Sequence, residues 1–362
     1  MRTAVVHDWL NGMRGGEKVL EAILPIVPEP TIFTLFHVPG SVSAGIERHP
    51  IRASWLNRLP FSRRGYRHYL PLFASAVESF DLSGFDLVVS SSHCVAKGAI
   101  APAGVPHLCY CHTPVRYAYE QYDLYFPEGR TRLRALKAAA VARLRAWDVR
   151  TASRPSAYLA NSSAVADRIR ERYGRPARVC HPPVDVGFFD PGVPASHGDF
   201  LLCVGALVPY KRHELAIEAA RLLGRRLVLV GRGPEEARLR AIAGASSVEF
   251  VSDIGPEELR ALYRGCGLYL QPGEEDFGIS AVEALSCGAP VVAFSRGGVR
   301  DVVRDGSNGV LYEAEAAEDL AAAVERASKI QFDYTALRAS ALPFRPERFA
   351  DEFRGALGEL LR

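Results

Sequence analysis

Apolar residues along this chain gather in short unbroken runs, separated by longer stretches whose apolar positions recur at helical spacing. In the first half TAVVHDW, PTIFTLF, DLVVSSS, HLCYCH and AYLANS read as strands; in the second half FLLCVGA, RLVLVG, VEFVS, LYLQP and PVVAF do. Runs of this kind suit strands buried on both faces, and their regular alternation with helical patterns predicts a doubly wound α/β architecture with parallel sheets. The stretch DVGFFDPGVPASHGD, residues 185–199, is rich in Pro and Gly and has no periodicity, so the linker between two domains is placed there. No internal repeat or low-complexity run interrupts the pattern. The terminal FRPERFADEFRGALGELLR spaces Phe349, Phe353, Leu357 and Leu360 along one face of a helix.

A length of 362 residues suits two domains of roughly 150 to 200 residues each. No apolar stretch reaches the roughly 20 residues needed to span a bilayer, and the start of the chain lacks a secretion-signal pattern, so a cytoplasmic protein is expected. Seven scattered cysteines argue for reduced thiols. Cys109, Cys111 and His112 lie close together, but no matching second pair of ligands completes a zinc site. The net charge of +3 conceals an asymmetry: residues 1–185 hold 24 Lys and Arg against 15 Asp and Glu, and residues 186–362 hold 20 against 26. Much of the basic excess sits in residues 129–154, where Leu133, Leu136, Ala140, Leu144 and Trp147 form an apolar stripe on a basic helix. That helix reads either as a solvated face or as a peripheral contact with anionic lipid at the inner face of the membrane. Nucleic acid is not expected as a partner, because no aromatic-rich basic strand or nucleic-acid motif accompanies the charge.

The densest chemistry lies in PGEEDFGISAVEALSCGAPVVAF, residues 272–294. It sets Glu275 and Glu283 eight positions apart around a Gly-containing turn that opens a helix after the strand LYLQP. Such a strand, loop, helix and strand unit places two carboxylates and a helix N-terminus at the carboxyl end of one strand. There the free N–H groups suit phosphate and the carboxylates suit sugar or ribose hydroxyls. This motif resembles that of retaining glycosyltransferase family 4, which has the GT-B fold. VVHDWLNGMRGGEKVL, FDLVVSSSHCVAKG, CYCHTPVRY, YLANSSAVADRI, VCHPPVDVGFF, LLCVGALVPYKRHELAIEA and LVLVGRGPE resemble further landmarks of that family, in order, over nearly the whole chain. The resemblance implies two Rossmann-like, doubly wound parallel-sheet domains facing a deep interdomain cleft. Residues 1–185 would bind the acceptor, 186–345 the nucleotide sugar, and the helix of 346–362 would cross back to the first domain. The form GALVPYKR is similar to that of a subgroup of bacterial polysaccharide mannosyltransferases and rhamnosyltransferases.

Lys211, in the loop ALVPYKR after a strand, is a candidate clamp for the departing diphosphate, a catalytic role. The family usually has an Arg five residues earlier, where this chain has Ala206; Arg212 is the candidate substitute. By resemblance Glu275 contacts the transferred hexose, Glu283 accepts the ribose hydroxyls, and the backbone of Phe277, Gly278 and Ile279 completes the cradle, with Asp253 and Ile254 meeting the base. Gly15 and Gly16, in GMRGGEK after the first strand, would bring N–H groups toward the diphosphate. Neither GMRGGEK nor GRGPEE has the spacing of a dinucleotide-binding fingerprint. His112 matches the family's active-site histidine, a third catalytic candidate beside Lys211 and Glu275. Asn161 and Ser162 are candidates for the acceptor side, as are Arg116, Tyr117 and Tyr119, for which loop packing is an equal reading.

The implied reaction moves a hexose from a nucleoside diphosphate to an acceptor hydroxyl with retention. No Asp-x-Asp metal motif is present, so no metal and no cofactor is expected, and Lys211, glycine amides and the helix dipole would neutralise the leaving phosphates. EEDFGIS resembles users of GDP-mannose, with a UDP-sugar next. The expected acceptor is a saccharide or lipid-linked saccharide in polysaccharide assembly. A natural-product glycosyltransferase, a GT-B sugar-nucleotide epimerase and a catalytically weak binding partner stay open as alternatives.

Overall fold

The computed structural model describes residues 1–115, 119, 131–192 and 198–362, with side chains left out at 63, 64, 67 and 131–137. Arg116 and Tyr117 lie outside the described residues, as do the side chains of Leu133 and Leu136. The described chain forms two units, Met1–Pro183 together with Phe349–Arg362, and Val184–Arg348.

The first unit is built on a seven-stranded parallel sheet: β1 (Thr3–His7), β2 (Pro30–Thr34), β3 (Ile51–Ala53), β4 (Leu87–Ser92), β5 (His107–Cys111), β6 (Ala157–Ala160) and β7 (Arg178–Val179). Their order is β3-β2-β1-β4-β5-β6-β7. The second unit has a six-stranded parallel sheet of β8 (Leu201–Val204), β9 (Leu227–Val230), β10 (Val248–Val251), β11 (Leu268–Gln271), β12 (Val291–Phe294) and β13 (Gly309–Tyr312), in the order β10-β9-β8-β11-β12-β13. Both are doubly wound, as the alternating pattern predicts. The ten strands read from apolar runs are all present, and β3, β7 and β13 join them at sheet edges.

Each sheet reverses direction of growth once, between β1 and β4 in the first unit and between β8 and β11 in the second. In open parallel sheets the loops that diverge at such a reversal leave a crevice at the carboxyl ends of the strands, the usual place for ligands. Register fixes what lies there. His7 at the end of β1 pairs with Ser91 on β4, and Ser92 pairs with Cys111 at the end of β5.

The last helix, Pro346–Leu360, buries Phe349, Phe353 and Leu357 in the same apolar cluster as Val19, Leu20 and Ile23 of the helix Gly15–Ile23. The basic helix Thr131–Arg150 turns Val141, Leu144 and Trp147 into the first unit's core. The described part of its apolar stripe is thus committed to packing, and Arg143 and Arg150 stay exposed. No helix among the described residues is long and apolar enough to cross a membrane.

Candidate functional site

In the second unit, the loops leaving β8 and β11 meet at the reversal point. Lys211 ends a short 3-10 turn, Pro209–Lys211, and its Nζ lies 2.6 Å from Oε1 of Glu275, with both side chains mostly covered. An ion pair this short is a charge-assisted hydrogen bond. The loop carrying Glu275 is held from below. Glu275 bridges to Gly297 after β12, and the Gly298 N–H donates to the Glu275 carbonyl at 2.9 Å. A β-carbon on Gly298 would stand 2.1 Å from the Asp276 carbonyl oxygen, so only glycine permits this approach.

Gly278 then opens the helix Ile279–Ser286 at φ +102°, in the left-handed region that a side chain disfavours. The first N–H groups of that helix have no partner within it and lie at its positive end. Glu283, one turn on and 4% exposed, accepts the Tyr263 hydroxyl at 2.9 Å. Burial, then the Glu283 charge, raises the Tyr263 pKa well above its ordinary value, so the phenol stays a donor. Beneath Gly278, the amide of Gln271 at the end of β11 is buried with neither its nitrogen nor its oxygen bonded among the described residues.

The first unit gathers a separate polar cluster at its own reversal point. Asp8 is fully buried. Its carboxylate accepts the backbone N–H groups of His93, Cys94, Val95 and Ala96 at 2.7 to 2.9 Å, pinning the turn after β4. Around it His7, His93 and His112 form a ring-to-ring group, with centroids 5.9 Å apart for His7 and His93 and 6.1 Å for His93 and His112. Burial, and then the neighbouring imidazoles His93 and His7, hold the His112 pKa well below its ordinary value. Gly16 at the start of the helix Gly15–Ile23 faces both His7 and His112: a β-carbon there would lie 3.7 Å from His7 Cε1 and 3.9 Å from His112 Nε2.

Residues 30–188 match the family model described as Glycosyltransferase Family 4, and residues 190–341 match the one described as Glycosyl transferases group 1. The chain belongs to the family 4 glycosyltransferases. The D-inositol 3-phosphate glycosyltransferase of Acidothermus cellulolyticus is 34% identical over 177 residues, covering 41% of this chain and 40% of that protein. The protein of the same name from Geodermatophilus obscurus is 34% identical over 197 residues, covering 46% and 44%. The chain therefore spans less than half the length of these curated relatives. Among solved structures, Anabaena HepE in complex with UDP is similar with a TM-score of 0.71 at 18% identity, covering 99% of this chain and 100% of that one. Sucrose-phosphate synthase of Thermosynechococcus elongatus gives 0.73 at 19%, covering 100% and 99%. At such identities the likeness establishes the GT-B fold.

In this family 4 glycosyltransferase the structure brings Lys211, Glu275 and the Gly278 turn together. Arg212 behaves differently. Its backbone is left-handed at φ +53°, and its guanidinium pairs with Glu214 at 3.2 Å and Glu315 at 3.0 Å. Ala206 is exposed, and its carbonyl lies 3.3 Å from His213 Nε2. Asp253, also left-handed, forms an exposed ion pair with Arg232, and Ile254 packs against the core of the second unit. The Phe277 ring is buried against Phe344, which anchors the cradle from behind.

On the first unit Ser162 caps the helix Ser163–Tyr173 by accepting the Val165 N–H at 3.2 Å. The neighbouring Asn161 keeps a buried side-chain oxygen with no partner among the described residues. Tyr119 donates to Asp148 at 3.0 Å and lies beneath Arg172. Asp148 and Lys97, both buried, pair at 3.0 Å. Among the described residues no three His, Cys, Asp or Glu side chains are arranged to hold a metal ion. Sequence reasoning did not single out His7, Asp8, Glu17, Ser91 or His93. The signal was nonetheless present, since His7, His93 and His112 each stand at or just beyond the end of a strand.

Proposed function

We propose that this protein is a retaining hexosyltransferase that takes a nucleoside-diphosphate sugar as donor and an acceptor hydroxyl on a saccharide or lipid-linked saccharide. The observation that carries the reading is the Lys211–Glu275 pair beside the N-terminus of the helix Ile279–Ser286, at the reversal point of the second sheet. As the glycosidic bond breaks, negative charge grows on the leaving diphosphate. Lys211 and the helix N–H groups are the fixed positive groups available to meet it. Glu275, paired to that lysine, would accept a sugar hydroxyl, and Glu283, one helical turn on, the ribose hydroxyls. Asp253, Ile254 and the backbone of Phe277, Gly278 and Ile279 complete the proposed donor contacts. His112 and the amides of Gly15 and Gly16 would touch the transferred sugar and its diphosphate. Asn161 is the proposed acceptor-side residue.

Retention is assigned to front-face attack, in which the leaving phosphate takes the acceptor proton. Product stereochemistry by NMR tests it, since an inverted anomer refutes it. GDP-mannose is the favoured donor on the form of EEDFGIS, and a UDP-sugar is next. A role in polysaccharide assembly, with the exposed basic face of the helix Thr131–Arg150 near anionic lipid, accompanies this reading.

The deciding experiment is thermal shift with GDP, UDP, ADP and dTDP, followed by slow hydrolysis of the matching sugar donors. A preference for one nucleotide that disappears in Glu283→Ala, together with donor turnover, supports the reading. No response to any nucleotide overturns it. Ala206 favours one second reading, a weakly catalytic binding partner. Ala206→Arg separates the two, because a partner shows no turnover before the change whereas a transferase already works.

A further inference from the structure

The polar cluster of the first unit contains an ordered chain of groups that ends on His112, and its significance rests on the reading that His112 meets the sugar. His112 Nε2 lies 2.9 Å from Ser91 Oγ. Ser91 Oγ lies 3.1 Å from His7 Nδ1, and His7 Nε2 lies 3.8 Å from Glu17 Oε1. Apart from His112, which is half-buried, every member is nearly sealed from solvent.

A serine hydroxyl has one proton, so it donates to only one of the two imidazole nitrogens it touches and must accept from the other. Two proton arrangements satisfy this, and Glu17 decides between them. Its carboxylate accepts the Arg14 N–H at 3.0 Å. Burial pulls its pKa up, but the neighbouring His7 outweighs burial and holds it below the ordinary value, so Glu17 faces the ring as a carboxylate. At 3.8 Å the contact with His7 is longer than a hydrogen bond, so Glu17 acts on the ring through its charge. A carboxylate there favours the proton on His7 Nε2 and leaves Nδ1 as an acceptor. Ser91 then donates to His7 and accepts from His112, so His112 carries its proton on Nε2.

Burial keeps the His112 ring neutral. The positive end of the helix Gly15–Ile23 lies beside it at Gly16 and disfavours a further positive charge there. Asp8, the nearest other acid, is saturated by four backbone N–H groups and lies 3.2 Å from His93 Nδ1. Arg14 and the remaining ring, His93, add no negative charge, and Tyr110 packs edge-on to His112 at 5.1 Å.

We propose that Glu17, His7 and Ser91 are positioning residues that fix His112 as its Nε2–H tautomer, so that Nδ1 is an obligate hydrogen-bond acceptor for a ligand hydroxyl. Among the described residues the His112 ring bonds through Nε2 alone, which leaves Nδ1 for that contact. The ligand is thereby selected for a hydroxyl that donates. A donor sugar carrying fluorine in place of that hydroxyl loses the contact, although its shape is nearly unchanged.

The test is side-chain 15N NMR of the full chain labelled at histidine, without donor, using His112→Gln to assign the signals. The expected wild-type pattern at neutral pH is a protonated Nε2 and a bare Nδ1 for His112. Ser91→Ala and Glu17→Gln each shift it toward a tautomer mixture and lower kcat/KM by roughly tenfold, about the worth of one hydrogen bond. A wild-type His112 protonated on Nδ1, or on both nitrogens, overturns the proposal without any variant. An unchanged tautomer in both folded variants also overturns it. Because the spectrum needs no turnover, an ordered tautomer in a protein that hydrolyses no sugar nucleotide would sink the transferase reading and leave the relay standing.

Discussion

Lys211 and Glu275 hold each other at 2.6 Å, so under the proposed reading a diphosphate would share the lysine with a carboxylate. Removing the negative partner should therefore separate nucleotide binding from sugar transfer. Glu275→Gln is expected to bind the bare nucleoside diphosphate at least as tightly as the wild type by calorimetry, yet to lose turnover by on the order of 10²- to 10³-fold if its charge serves the transition state. Equal losses of both would mean that Glu275 only supports the loop. Two other residues set a pH limit on the fold. Burial, aided by Lys97 and Arg154, depresses the His107 pKa to about 3, and burial, aided by Lys211, does the same to His213. In the unfolded chain both titrate near the ordinary 6.5. Between those values the unfolded state binds protons that the folded state refuses. Stability is therefore complete above pH 6.5 and falls as pH drops toward 3, by about 1.4 kcal/mol per pH unit for each histidine. Urea midpoints at pH 7 and pH 5 should show the drop, and His213→Gln should reduce it in the second unit.

At the scale of elements, the Glu275 loop depends on backbone packed against backbone. Gly298→Ala forces a methyl group into the Asp276 carbonyl and the Phe277 Cα. The expected cost is about 1–3 kcal/mol, with a weakened nucleotide response, because the Glu275 loop must move. A thermal melt with and without nucleotide checks both effects. The elements themselves were legible where burial on two faces writes a continuous apolar run, as in LVVSSS or LVLV. The three strands that escaped are sheet edges, for which only one neighbour constrains the sequence. In β3 Ile51 is half-buried while Arg52 and Ala53 are exposed, and in β7 Arg178 is exposed. GVLY of β13 is apolar but follows Asp305-Gly-Ser-Asn, whose turn chemistry dominates the reading. The same logic governs the site. Lys211 and Glu275 each sit in a motif local in sequence, so they could be read. The relay to His112 joins residues 84 and 21 positions apart, and only the pairing of β1 with β4 and β4 with β5 makes them neighbours.

At the scale of the molecule, the first unit is completed by residues from the far end of the chain. Phe353 is fully buried, and Phe349 and Leu357 share its cluster with the helix Gly15–Ile23. Phe353→Ala should destabilise the first unit by about 3–5 kcal/mol. Unfolding followed by limited proteolysis should show that loss in the first unit, while the nucleotide-stabilised transition of the second is unchanged. Comparable losses in both would mean that the units unfold together. The split membership also carries a consequence for biosynthesis. A ribosome releases Met1–Pro183 long before Phe349 exists, so the nascent sheet waits through the whole of Val184–Arg348 with an apolar groove along the helix Gly15–Ile23 still uncovered. During that interval the groove is a ready surface for a chaperone or for aggregation, and translation of the last helix closes it.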